Sequence, residues 1–172
     1  MNTKAYDLRA VARGDLGVLG HSLQPGYVSM STEPATANVR QAVPFFSISS
    51  MEASVGFYVQ GLGFEMTNEW TDDGKLRWCW LELGGAAVML QEFKREGPDS
   101  WVPASPVGVG VSVYFICRDA LALYRGFSAN GIATRCPFVG NGMWVTSLTD
   151  PDGYELHFES PTDVAEHTEY SE

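Results

Sequence analysis

The sequence predicts an α+β fold in which a βαβββ unit occurs twice, the two modules forming a curved mixed sheet around a cavity with helices on its outer face. Three observations lead there. Strand-like alternation runs through most of residues 42–162. Two short helical segments interrupt it, each closed by glycine. A fixed offset relates the halves, because Gly63 and Gly131 lie 68 residues apart and so do Gly85 and Gly153.

The elements follow in order. VPFFSIS from Val43 is a strand, and SMEASVGFYVQ from Ser50 is a helix with Ser50 at the N-cap and Gly61 and Gly63 as its stop. Strands are expected at FEMTNEW from Phe64, LRWCWLEL from Leu76 and AAVMLQE from Ala86, with Asp73-Gly74 and Gly84-Gly85 as hairpin turns. The second module repeats the pattern. GVSVYFIC from Gly110 is a strand, the segment from Arg118 to Asn130 a helix, and strands follow at ATRCPFV from Ala133, MWVTSL from Met143 and YELHFE from Tyr154. The modules span residues 42–93 and 109–160, joined by a linker from Lys94 to Pro106. Residues 1–41 mix Gly, Ser, Pro and Thr without periodicity and read as a flexible N-terminal leader. Residues 1–29 are expected to be dispensable for folding, with Met30 the expected true start. Residues 163–172 read as an acidic C-terminal tail.

A chain of 172 residues with 45% hydrophobic content fits one domain with one sizeable core. Its formal charge of −10 argues against a nucleic-acid partner, which needs clustered cations. No apolar run is long enough for a membrane span. Cys79, Cys117 and Cys136, in no paired spacing, point to a reduced compartment; the cytoplasm is the expected location. All three read as buried hydrophobes in apolar strands, not nucleophiles.

Alternation also sorts the strand faces. Phe46, Ile48, Val88, Leu90, Val113, Phe115, Leu156 and Phe158 are expected beneath the helices. The opposite face carries Val43, Phe45, Ser47, Met89, Gln91, Ser112, Tyr114, His157 and Glu159, a mixture of aromatic area and hydrogen-bonding groups suited to a small-molecule site. Trp78, Trp80 and Trp144 add flat surfaces for stacking or cation–π contact; their bland reading is core filling.

The stretches SMEASVGFYVQGLGF and TDPDGYELHFESP resemble the vicinal oxygen chelate superfamily, which includes glyoxalases, extradiol dioxygenases, fosfomycin-resistance enzymes and bleomycin-resistance proteins. The resemblance covers residues 42–162. It implies four metal-ligand positions in the catalytic branches, which fall here on Val43, Met89, Ser112 and His157. One imidazole does not make a catalytic metal site, which needs about three protein ligands. No metal and no cofactor are therefore expected. Three readings of His157 remain: a group that contacts ligand, a structural histidine satisfied by Glu159 or Tyr114, or a metal ligand. Pairs of His157 with Glu155 or Glu159 are candidates for acid–base work, without a geometry to support them. No nucleophile-elbow or phosphate-cradle motif is present.

The resemblance is closest to the metal-free, bleomycin-resistance-like branch. It implies a cytoplasmic protein that sequesters an aromatic or cationic small molecule, expected to be a homodimer. The alternative is a glyoxalase- or dioxygenase-like lyase or isomerase that uses His157.

Overall fold

The computed structural model describes residues 38–39, 41–98, 100–104 and 107–171. The expectations for residues 1–29 and Met30 lie outside the described residues. Val43–Glu172 forms one compact unit.

The first module runs β1 (Phe45–Ile48), α1 (Met51–Val55), a π-helical turn (Gly56–Gly61), β2 (Glu65–Asp72), β3 (Lys75–Leu83) and β4 (Ala86–Glu92). The second runs β5 (Ser112–Ile116), α2 (Ala120–Ala129), β6 (Phe138–Gly140), β7 (Met143–Thr149) and β8 (Glu155–Pro161). Each builds a four-stranded mixed sheet, ordered β1-β4-β3-β2 and β5-β8-β7-β6, with the first strand parallel to the last. The twofold βαβββ organisation stands. The sheets are two separate ladders that do not close on each other.

Local chemistry explains the boundaries. Ser50 Oγ accepts the Ala53 amide and caps α1, and Asp119 does the same for Ala122 at α2. Asp73-Gly74 and Asn141-Gly142 both place two consecutive residues at positive φ, the tight turn that matches strand twist. The helix ends differ instructively. At α2 the Ile132 amide donates to the Phe127 carbonyl, whereas the matching Phe64 amide reaches one residue further back, to Tyr58. The π-helical turn accommodates that extra residue. Its insertion explains why Phe45 and Tyr114, equivalent in the strand ladders, stand 69 positions apart while Gly63 and Gly131 stand 68 apart.

One hydrophobic core joins the modules, with Phe46, Ile48, Leu81, Val88 and Leu90 from the first and Phe115, Leu156 and Phe158 from the second. Phe46 stacks on Tyr154 at 4.1 Å, and Phe64 meets the edge of Phe115 at 6.1 Å. Polar contacts cross the same seam. Tyr58 Oη donates to Asp150 Oδ2 at 2.9 Å, the Ser49 amide to Asp152 Oδ1 at 2.9 Å, and Tyr154 Oη to the Ser47 carbonyl at 3.1 Å. The Asp-Pro-Asp-Gly turn does reverse the chain, with Gly153 at positive φ, but both aspartates are buried against the other module.

Two expectations are corrected here. Of ATRCPFV only Phe138 and Val139 enter a strand, and Cys136 is exposed, so it is not a buried hydrophobe. Cys79 is buried, and burial pushes its thiol up to about 11, which removes thiolate at neutral pH. The acidic C-terminal segment is also not a loose appendage. Val139 and His167–Thr168 exchange backbone hydrogen bonds beside β6, and the Glu166 carboxylate accepts the Asn141 and Gly142 amides. A three-residue edge strand leaves donors and acceptors open, and this segment satisfies them.

Candidate functional site

The faces of the two sheets turned away from the helices hold most of the expected residues. In the first module the parallel register pairs Phe45 with Met89 and Ser47 with Gln91. The antiparallel register sets Trp80 beside Met89 and Trp78 beside Gln91. These six share one face because residues opposite each other in a ladder point the same way. Trp80 is anchored by its ring N–H, which donates to Glu82 at 2.8 Å. In the second module Ser112, Tyr114, His157 and Glu159 share the corresponding face. Tyr114 is 58% and Phe45 50% exposed, so both rings stand clear of the core.

Trp144 does not join them. It pairs with Ser160, whose Oγ accepts the Ala120 amide of α2, and its indole meets Tyr170 edge-on at 6.2 Å. It therefore sits on the helix-covered side and fills space there. Trp70 is the residue the sequence concealed. Simple alternation puts Trp70 in phase with buried Phe64, but a register shift between Met66 and Asn68 reverses the faces. Trp70 then lies opposite Trp78 and is 55% exposed.

Around His157 the geometry is specific. Its ring stacks on Tyr114 at 4.5 Å, and Nδ1 lies 2.8 Å from Ser147 Oγ. Ser147, opposite His157 on β7, is the partner in place of the expected Glu159 or Tyr114 hydrogen bond. Burial lowers the His157 pKa; Glu155 opposes that shift and Arg135 reinforces it. The imidazole is thus neutral at pH 7, with Nε2 left over from the Ser147 bond. Glu155 is committed elsewhere, to Arg135 at 2.8 Å and to Thr149 Oγ1. Burial raises the Glu159 pKa.

The four metal positions carried over from the superfamily do not fit a divalent ion. Val43 and Met89 offer no nitrogen or oxygen side-chain donor, and the exposed Ser112 hydroxyl is a weak one. Among the described residues no three His, Cys, Asp or Glu side chains gather around a possible metal.

Two grooves lie in the first module. A groove of about 700 Å³ lies between the start of α1 and the start of β3, and one of about 530 Å³ lies between the β2–β3 hairpin and the end of β4. Neither is lined by His157, Tyr114 or Phe45.

With two βαβββ modules and this face in place, comparison with known proteins settles the class. The chain belongs to the glyoxalase/bleomycin resistance protein/dioxygenase superfamily, whose family model matches residues 43–158. Similar solved structures include TnmS3, an antibiotic binding protein from Streptomyces sp. CB03234, at 21% identity and a TM-score of 0.53, covering 72% of this chain and 98% of that one. A bleomycin resistance determinant encoded on the transposon Tn5 matches at 21% identity and a TM-score of 0.54, covering 73% and 100%. A glyoxalase/bleomycin resistance protein/dioxygenase from Nocardioides matches at 18% identity and a TM-score of 0.55, covering 80% and 93%. At these identities the likeness is one of fold. No curated protein matches the chain.

Proposed function

We propose that this protein binds a small aromatic molecule on its open sheet faces and sequesters it without chemical change and without a metal. The observation that carries the reading is the donor set. At the positions where catalytic relatives are expected to hold metal stand Val43, Met89, Ser112 and a neutral His157 tied to Ser147. Around them are surfaces for stacking and dispersion: Phe45, Trp78, Trp80, Met89 and Tyr114, with Ser47, Gln91 and Glu159 as polar neighbours. The likeness to TnmS3, an antibiotic binding protein, and to the Tn5 bleomycin resistance determinant supports a binding role. The formal charge of −10 favours a guest with some cationic character.

The same faces expose large hydrophobics, Phe45, Tyr114 and Ile116, which supports a homodimer in which a second copy covers part of this area. A cytoplasmic location fits the three free cysteines, and no described helix is long and apolar enough to cross a membrane. The second reading is a metal-free lyase or isomerase, favoured by one observation. A half-buried, neutral imidazole hydrogen-bonded to a hydroxyl at 2.8 Å is suited to act as a base.

A thermal-shift series over aromatic and cationic compounds, with recovery of each compound afterwards, tests the proposal. Binding reads as a rise in Tm with the compound recovered unchanged. A compound that raises Tm and returns as an isomer or elimination product overturns sequestration in favour of catalysis.

A further inference from the structure

The acidity of the chain conceals a local reversal. Seven Lys and Arg residues fall within the described segments, and four of them, Lys75, Arg77, Lys94 and Arg95, line the 530 Å³ groove at the end of the first sheet. One wall is the β2–β3 hairpin, with Trp70, Asp72, Lys75 and Arg77; the other is the end of β4 and the segment after it. This groove shares Trp70 and Gln91 with the face described above, and none of its other lining residues.

Its side chains are arranged for a particular kind of guest. Arg95 is held in place, because its Nη2 donates to the Ser49 carbonyl at 3.0 Å and its guanidinium lies 6.0 Å from the Phe93 ring centroid. Phe93 is itself fixed against Trp101, edge to face at 5.5 Å. Lys75 and Arg77 have no ion pair or side-chain hydrogen bond among the described residues, and Arg77 is half-buried. Three carboxylates also line the groove, Asp72, Glu92 and Glu96, and Glu92 Oε2 is turned to the Met51 amide, which donates to it at 3.0 Å. Four cations against three carboxylates leave a local excess of positive charge in an acidic chain. The exposed Trp70 ring supplies a flat apolar surface beside them.

We infer that this groove is a second binding site, which takes a planar aromatic compound bearing one anionic group. The guanidinium of Arg77 presents the fork that matches a carboxylate, Lys75 adds a point charge, and Trp70 provides the stacking surface. Selectivity for an anion is the opposite of what the net charge of the chain suggests. It follows from local placement, since charges beyond about 10 Å are screened at ordinary salt.

The test is calorimetric titration of the full chain with 2-naphthoate, 2-naphthalenemethanol and 2-naphthylmethylammonium. Saturable 1:1 binding of naphthoate, tighter than that of the neutral alcohol and weakened several-fold by added salt, is the expected result. Arg77→Gln should reduce naphthoate affinity about tenfold, and Trp70→Ala, at an exposed position, should reduce it similarly with the fold intact. His157→Ala should leave it unchanged, which separates this site from the His157 face. The inference is overturned if Arg77→Gln weakens the ammonium compound as much as naphthoate, if naphthoate fails to saturate at millimolar concentration, or if a folded Arg77→Gln or Trp70→Ala protein binds naphthoate as the parent does.

Discussion

Removing the Tyr58 hydroxyl should uncouple the two modules more than any other single-atom change. Tyr58 is fully buried and Asp150 is 4% exposed, so no water replaces the lost donor. Asp150 Oδ1 already accepts the Asp152 and Tyr154 amides, each at 2.9 Å, and Oδ2 depends on Tyr58 alone among the described residues. A hydrogen bond to a charged group contributes roughly 1.5–3 kcal/mol, and an orphaned buried acceptor costs its desolvation as well. Tyr58→Phe should therefore destabilise by about 2–3 kcal/mol at pH 7. For a domain of this size that is roughly 4–12 °C in Tm, at about 2–4 °C per kcal/mol. The deficit should also depend on pH. Burial raises the Asp150 pKa above its usual 3.8, while the Tyr154 and Asp152 amides and the Tyr58 hydroxyl pull it back. A raised acid holds its proton in the folded state after the unfolded chain has released it. Its stability contribution is therefore largest below the unfolded pKa and is lost as pH rises through the folded one. Losing the hydroxyl raises that pKa further, so the penalty of Tyr58→Phe should be smaller near pH 4 than at pH 7. Thermal melts of both proteins at the two pH values read this directly. A Tm within about 1 °C of wild type at pH 7 would refute the role given to this pair.

Further outcomes follow from the same geometry. Gly108→Ala should cost more than about 3 kcal/mol by denaturant titration, because an added Cβ collides with the backbone of Gly153 and Tyr154, which cannot yield as a side chain can. Gly85→Ala, with open space around it, should change stability by less than about 1 kcal/mol. Arg135→Ala should cost under about 1 kcal/mol despite its two-pronged contact with Glu155, since the arginine side chain is 62% exposed and the pair is screened. His157 has a folded pKa below its ordinary 6.5, so stability should fall as pH drops through that value and protons favour the unfolded chain. His157→Gln should flatten that slope in urea titrations at pH 7 and pH 5.

Much of the fold was legible because local signals agreed: the Ser50 helix cap, two glycine stops and alternation with a fixed offset. The open face was legible for the same reason, since Phe45, Ser47, Met89, Gln91, Tyr114 and His157 keep strict period two. What the sequence hid lies where period two breaks or where contacts are long-range. The shift after Met66 moved Trp70 to the open face, and Trp144 followed its strand parity to the helix side. Ser147 gave no signal of its own; only the pairing of β7 with β8 sets it against His157. The burial of the aspartates in the Asp-Pro-Asp-Gly turn left no local signal because their partners, Ser49 and Tyr58, lie about a hundred residues away in the other module.

The central claim is that His157 is a neutral contact group at a position emptied of metal chemistry. Metal analysis and Tm of the wild type and His157→Ala, after incubation with Zn²⁺, Ni²⁺, Mn²⁺ and Fe²⁺ and removal of excess, test it most directly. Both proteins should carry background metal and melt as they did before incubation, with the substitution lowering ligand affinity by about 1–2 kcal/mol for one lost hydrogen bond. Near one equivalent of metal in the wild type, lost together with its stabilisation in His157→Ala, would contradict the account and make this an enzyme.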